Sequence, residues 1–225
     1  KCVWVCEYYA QNAETMLENE TIETQYSASF VSYQPLGTIL AVMPWNFPFW
    51  QVFRFLAPTL MAGNTAVLKH ASNVPGCALA IEELVREAGF PENVFRTLLV
   101  GSNLVEGIIR NPAVKAVSLT GSTPAGRSVA AIAGSELKKC VLELGGSDPY
   151  LILKDAALEQ SAIVCATSRL LNAGQSCIAA KRFIVVDEVY THFLEHFTDK
   201  MNEARFGDPC DPEISMGPLA RTDLR

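Results

Sequence analysis

The chain has 225 residues, 49% hydrophobic and 19% charged, with a formal net charge of −6. That profile fits a soluble globular protein with material for one large core or two smaller ones. No run approaches the ~20 apolar residues a membrane span needs, and a mildly acidic surface argues against nucleic acid as a partner, because phosphate binding needs a basic face.

Strand-like and helix-like segments alternate along the chain. Residues 7–20 read as an amphipathic helix and residues 26–33 alternate like an exposed strand. Residues 37–43 (GTILAVM) form a continuous apolar run, as expected of a strand covered on both faces. Residues 49–61 are helical in pattern, with Pro58 predicted to kink or end the helix. A short strand follows at 66–69, then a helix at 75–88 with Pro75 near its start and Gly89 just past its end. The rhythm continues with strands at 94–100 and 114–119, helices at 104–110 and 124–133, and strands at 140–144 and 150–153 around a Gly-Gly corner. A helix at 158–171, a strand at 182–186 and a long helix at 189–205 complete it. Repeated β-α-β units with apolar strands imply a parallel sheet with helices on both faces, which binds ligands at the carboxyl ends of its strands.

The seven cysteines are irregularly spaced and include no C-x-x-C pair, so neither a zinc ribbon nor a thioredoxin-like motif is supported. Reduced thiols in a cytosolic or matrix-type compartment are the ordinary reading. The chain opens at an apparent mid-helix and stops at Arg225 without a terminating signal, which reads as a fragment.

Five segments have the composition of a reactive site. Pro44-Trp45-Asn46-Phe47-Pro48 follows the apolar strand, and two prolines make its loop rigid. Asn46 is then either a preorganised donor to an oxyanion or the polar residue of a Pro-bounded turn. Lys69 ends the next strand, in reach of a ribose or phosphate, or simply solvated. Gly121-Ser122-Thr123-Pro124 turns a strand into a helix whose free N–H groups and dipole favour an anion. It is not G-x-G-x-x-G, so alone the signal is weak. Glu143-Leu144-Gly145-Gly146 puts a carboxylate at a strand end beside two glycines, the placement of a general base or of a solvated glutamate. Asn172-Ala173-Gly174-Gln175-Ser176-Cys177 presents a thiol on a polar turn, and a thiol there attacks carbonyl carbon well. His192-Phe193-Leu194-Glu195-His196 matches a zinc-peptidase pattern, with both histidines on one helical face; short patterns match by chance, and the apolar stripe of this helix leaves both on its flank.

Together and in this order, Pro44 to Pro48, Leu68-Lys69, Gly121-Ser122-Thr123, Glu143 to Gly146 and Gly174 to Cys177 strongly resemble the aldehyde dehydrogenase superfamily, from about Leu36 onward and including Gly217-Pro218. The resemblance implies a parallel-sheet, Rossmann-type cofactor domain, residues 1–142, followed by the start of an α/β catalytic domain, residues 143–225. It implies Cys177 as nucleophile, Glu143 as the base that activates water, and Asn46 with the Cys177 N–H as the oxyanion site. Pro44, Trp45, Lys69, Ser72, Gly121 and Ser122 would bind NAD or NADP, and no metal is required. The implied protein is a cytoplasmic homo-oligomer acting on a small-molecule aldehyde. Family members are considerably longer than this chain.

Within the superfamily, Leu68 to Ala71, Glu143 to Asp148 and Ala179 to Phe183 look most like bacterial succinate-semialdehyde dehydrogenases, although His70 replaces the usual proline. Such enzymes carry a substrate-binding arginine at the position of Arg54, here a lone charge among aromatic side chains. A buried unpaired guanidinium is costly, so Arg54 should meet a carboxylate, of the substrate or of the protein. A second arginine found in some members is Leu171 here, with Arg169 nearby. In the family strict NAD users often have a glutamate where Ser72 stands; its absence removes a charge clash and implies use of NADP as well as NAD. Other short aldehydes, a zinc hydrolase built on His192, Glu195 and His196, and a non-catalytic dinucleotide-binding segment are the competing readings.

Overall fold

The computed structural model describes residues 1–224; Arg225, the last residue of the expected second domain, lies outside them. The chain divides into two compact units, Lys1–Leu144 and Gly145–Arg225. Glu143 therefore groups with the first unit.

The first unit begins with α1 (Cys2–Met16) and two short antiparallel strands, β1 (Glu20–Thr21) and β2 (Phe30–Val31). Then come β3 (Thr38–Met43), α2 (Pro48–Met61), β4 (Thr65–His70), α3 (Pro75–Glu87), β5 (Phe95–Thr97), α4 (Val105–Arg110), β6 (Val114–Thr120), α5 (Thr123–Ser135) and β7 (Lys139–Glu143). The sheet order is β5-β4-β3-β6-β7, every neighbour parallel. The chain leaves β3 toward β4 on one side and later reaches β6 on the other. The carboxyl ends of β3 and β6 thus flank the topological switch point, where sheets of this kind bind ligands.

The apolar run at β3 is explained by burial on both faces. Ala41 and Met43 join Ala66, Leu68, Val52, Leu56 and Ile81 on the α2 and α3 side. Leu40 joins Val117, Leu119, Ile109 and Val129 on the α4 and α5 side. Each such fully buried side chain contributes about 1.5–3 kcal/mol.

Three local expectations change. The first helix starts and ends earlier than residues 7–20, since Cys2 to Glu7 also pack helically, α1 lying against α2. The alternating segment 26–33 forms only the two-residue β2, and most of it is exposed with no core face to hold it. Pro58 neither ends nor splits α2, which continues to Met61; the ring removes only its own N–H bond to the preceding turn, and the Ala62 N–H still donates to the Pro58 carbonyl at 3.0 Å.

The second unit holds β8 (Pro149–Ile152), α6 (Leu158–Leu170), β9 (Arg182–Val185) and α7 (Tyr190–Asn202), with β8 and β9 parallel. Ile152, Ala162, Cys165 and Phe193 are its core, with Tyr150, Phe183 and Phe197 packed against them. Among the described residues no helix is long and apolar enough to cross a membrane.

Candidate active site

In the first unit, the strand ends collect the residues singled out by sequence. β3 stops at Met43, and Pro44, Trp45, Asn46 and Phe47 lead into α2, whose first residue is Pro48. Proline is tolerated there because the missing N–H has no helical partner anyway. The buried His70, last in β4 and 5% exposed, holds this loop. Its Nδ1 accepts the Ala71 N–H at 2.9 Å, and its Nε2–H donates to the Pro48 carbonyl at 3.0 Å. The other neutral tautomer would satisfy only the Met43 carbonyl, 3.2 Å from Nδ1. Burial pushes the His70 pKa below the usual imidazole value, helped by the Lys69 charge and opposed by the Pro48 and Met43 carbonyls. A proline at this position could make neither side-chain bond.

Lys69 is half-buried on the strand's other face, and burial lowers its pKa. A cavity of about 300 Å³ opens at this end of the sheet, lined by His70, Ser72, Pro75 and residues 98–101. Next along the switch point, Gly121 donates its N–H to the Glu143 carbonyl at 3.0 Å. Ser122 caps α5, its Oγ accepting the Ala125 N–H at 3.4 Å. Gly126 lets that first turn lie close to β7: a Cβ there would stand 2.6 Å from Leu144 Cδ2.

Arg54 meets a carboxylate of the protein, the second of the two partners expected for it. Its guanidinium is not an unpaired buried charge. Nη1 donates to Glu143 Oε2 at 3.4 Å and Nη2 to Thr120 Oγ1 at 3.1 Å, with the arginine side chain 35% and the glutamate side chain 56% exposed. Arg54, Thr120, Glu143, Gln51 and Met43 line a cavity of about 380 Å³. The structure therefore brings Arg54 and Glu143 together, which the sequence had placed in separate roles.

Cys177 belongs to the second unit. After α6 the backbone turns left-handed at three successive residues, Asn172 (φ 54°), Ala173 (φ 55°) and Gly174 (φ 74°). Only the glycine adopts this freely; for alanine it costs about 1–2 kcal/mol. Hydrogen bonds hold the turn. The Gln175 N–H and Nε2 both donate to the Asn172 carbonyl, at 3.1 and 3.0 Å, and Gln175 Oε1 accepts the Ala220 N–H at 2.9 Å. Arg169 donates from Nη2 to the Gly174 carbonyl at 2.8 Å and from Nη1 to the Ala180 carbonyl at 3.0 Å. Ser176, Ala179 and Ala180 are buried, while Cys177 stays partly accessible. Just beyond, Lys181 donates to the Gly146 carbonyl and Arg182 to the Ser147 carbonyl, so the stretch after Gly145 runs beside the end of the cysteine segment.

His192 and Glu195 lie 3.6 Å apart on a strongly exposed face of α7. No group of three or more metal-binding side chains forms among the described residues.

The aldehyde dehydrogenase family profile matches residues 1–224. The chain belongs to the aldehyde dehydrogenase family. It is 54% identical over 224 residues to a probable succinate-semialdehyde dehydrogenase [NADP(+)] of Synechocystis sp., covering 100% of this chain and 49% of that protein. It is 54% identical over 223 residues to succinate-semialdehyde dehydrogenase [NADP(+)] 1 of Mycobacterium tuberculosis, with 98% and 49% covered. Among solved structures, succinic semialdehyde dehydrogenase from Streptococcus pyogenes in complex with NADP+ superposes with a TM-score of 0.95 at 43% identity, over 99% of this chain and 49% of that one. The chain thus spans about half the length of the curated relatives it matches.

Three contacts are not foreseen by the motifs: His70 with the Asn46 loop, Thr120 with Arg54, and Arg169 with the cysteine turn. The sequence signal for Arg169 was slight, a cation in the last helical turn before a Gly-containing segment, which ordinarily serves exposed helix-end carbonyls.

Proposed function

We propose that the protein containing this chain oxidises a short ω-carboxy aldehyde, succinate semialdehyde in the first instance, to its carboxylic acid with NADP+ or NAD+. The observation that carries the substrate class is Arg54. A guanidinium that already holds a carboxylate, in a cavity that runs along the sheet face beside α2 from Ile39, Ala116 and Lys139 to Met43, Thr120 and Glu143, is a carboxylate-binding group, and the protein's own Glu143 stands in for the substrate. The names of the relatives, succinate-semialdehyde dehydrogenases using NADP+, point the same way.

The residues present fit a dinucleotide. Ser72 borders the cavity beyond β4, Lys69 offers a half-buried cation nearby, and Ser122 and Gly126 keep the start of α5 small. Such a helix start suits a pyrophosphate, and the hydroxyl of Ser72 leaves room for a 2′-phosphate. When bound, the dinucleotide supplies the hydride acceptor.

With the thiol proton given up to solvent, the Cys177 thiolate forms a bond to the aldehyde carbon as the C=O π bond breaks, and its negative charge moves to the carbonyl oxygen. Donation from the Asn46 side chain and the Cys177 N–H stabilises that charge, at about 2.7–4 kcal/mol per donor. Once the carbon has been oxidised to a thioester on Sγ, Glu143 takes a proton from water. The water oxygen attacks the thioester carbon, the C–S bond breaks, and acid and thiol are released. A cytoplasmic location and a homo-oligomeric assembly complete the reading, on family resemblance.

Two variants of the full-length protein test it. Cys177→Ala should abolish aldehyde oxidation and leave dinucleotide binding intact. Glu143→Gln should give one burst of reduced cofactor and then turn over about 10²-fold or more slower, since a general base is worth that much. Wild-type turnover by either variant refutes the assignment.

A further inference from the structure

We infer that Arg169 is a positioning residue for Cys177, holding the nucleophile's turn by donating to a carbonyl on each side of it. The inference rests on Cys177 being the nucleophile, as proposed above.

The geometry is local to the second unit. The two carbonyls, of Gly174 and Ala180, lie three residues before and three residues after Cys177, and one planar guanidinium reaches both, at 2.8 and 3.0 Å. A second tie runs from the Ala180 N–H to the Ser168 carbonyl at 3.4 Å, so the far end of the loop is anchored to the last turn of α6 at two adjacent residues. Inside the loop that the Arg169 to Gly174 bond closes lie three left-handed residues, two of them not glycine. Such backbone persists only when its surroundings over-determine it. Gly174 matters for the same reason, because a Cβ there would fall 2.0 Å from Arg169 Nη2 and expel the guanidinium. Ala180 is fully buried, so without Arg169 its carbonyl loses a donor where water cannot easily replace it. Only arginine has the rigid fork that spans two carbonyls; lysine is a single flexible point.

This assignment separates Arg169 from substrate recognition. Its Nη1 and Nη2 both donate to backbone, so Arg169 does not stand in for the arginine missing at Leu171.

The test uses the full-length enzyme with Arg169→Met, which keeps the length of the stem, and Arg169→Lys, which keeps one donor. Two readouts are needed: the rate of the first-turnover burst, and amide hydrogen exchange of the peptide covering residues 172–180. Arg169→Met should slow the burst at least thirty-fold and speed exchange in that peptide at least ten-fold, with little change in dinucleotide affinity. Arg169→Lys should recover part of both. Equal losses in the two variants, or an unchanged burst in Arg169→Met, overturn the proposal. A Cys177→Ser control keeps the two readings apart. If Cys177→Ser retains turnover, the nucleophile assignment fails; if it is dead while Arg169→Met behaves as wild type, only the positioning role fails.

Discussion

Replacing Arg54 by alanine should separate charged from uncharged aldehydes, and the structure sets the size of the effect. A substrate carboxylate taken by the guanidinium gains a charge-assisted interaction of about 1.5–3 kcal/mol. To bind, it must displace Glu143. That pair stands at 3.4 Å with both side chains more than a third exposed, so solvent screening limits it to about 0.2–1 kcal/mol. The difference, roughly 0.5–2.8 kcal/mol, corresponds to a loss of about 2- to 100-fold in kcat/KM for succinate semialdehyde. Butanal has no carboxylate to lose and should change by less than about three-fold, since Glu143 forfeits only a weak partner. Arg54→Lys should fall between, keeping charge without the bidentate fork. Steady-state kinetics of the full-length enzyme on both aldehydes is the assay. A wild type that prefers butanal, or an Arg54→Ala variant that weakens both substrates alike, would refute the carboxylate-anchor reasoning and leave Arg54 as a partner of Glu143 alone.

Two further outcomes follow from the same unit. Ser72→Glu places a carboxylate on the wall of the cavity beyond β4, and like-charge repulsion should shift preference from NADP+ toward NAD+ by at least ten-fold; unchanged relative kcat/KM values would remove Ser72 from cofactor selection. Burial holds the folded-state pKa of His70 below the ordinary imidazole value, so the unfolded chain binds the proton more readily. The stabilisation is complete above about pH 6.5 and is lost as pH falls from there toward the folded value. Melting temperature should accordingly drop on acidification through that window in the wild type and drop less in His70→Gln, and parallel pH profiles would show that His70 does not carry the effect.

Much of the fold was legible in sequence because its determinants are local or periodic. An unbroken apolar run such as residues 37–43 can be stable only between two layers, and β3 is buried on both faces by α2 and α3 on one side and α4 and α5 on the other. Proline at the start of α3 marked that helix start for reasons internal to a single turn. The motifs at Pro44, Lys69, Gly121, Glu143 and Cys177 also stood out because each sits where a strand or helix gives way to a short polar turn. Element ends were less legible: 26–33 alternates well but lacks a core to face, and Pro58 costs α2 one backbone bond without ending it.

What sequence alone determined is the class of chain, an α/β parallel sheet with a thiol, a carboxylate and an amide placed on turns, since alternation and turn chemistry are written in neighbouring residues. What only the tertiary structure decided is which groups meet. Arg54 and Glu143 are 89 positions apart and touch because both line the cavity between α2 and the β6–β7 side of the sheet. His70 reaches back 22 positions to Pro48 because β3 and β4 run parallel and in register from Thr38 with Thr65 to Met43 with His70. Arg169 grips both flanks of Cys177 because Asn172 and Ala173 turn left-handed, a conformation that alanine's own preference would not select. Contacts of this kind depend on strand order, register and strained backbone, and those are set by the packing of the whole unit.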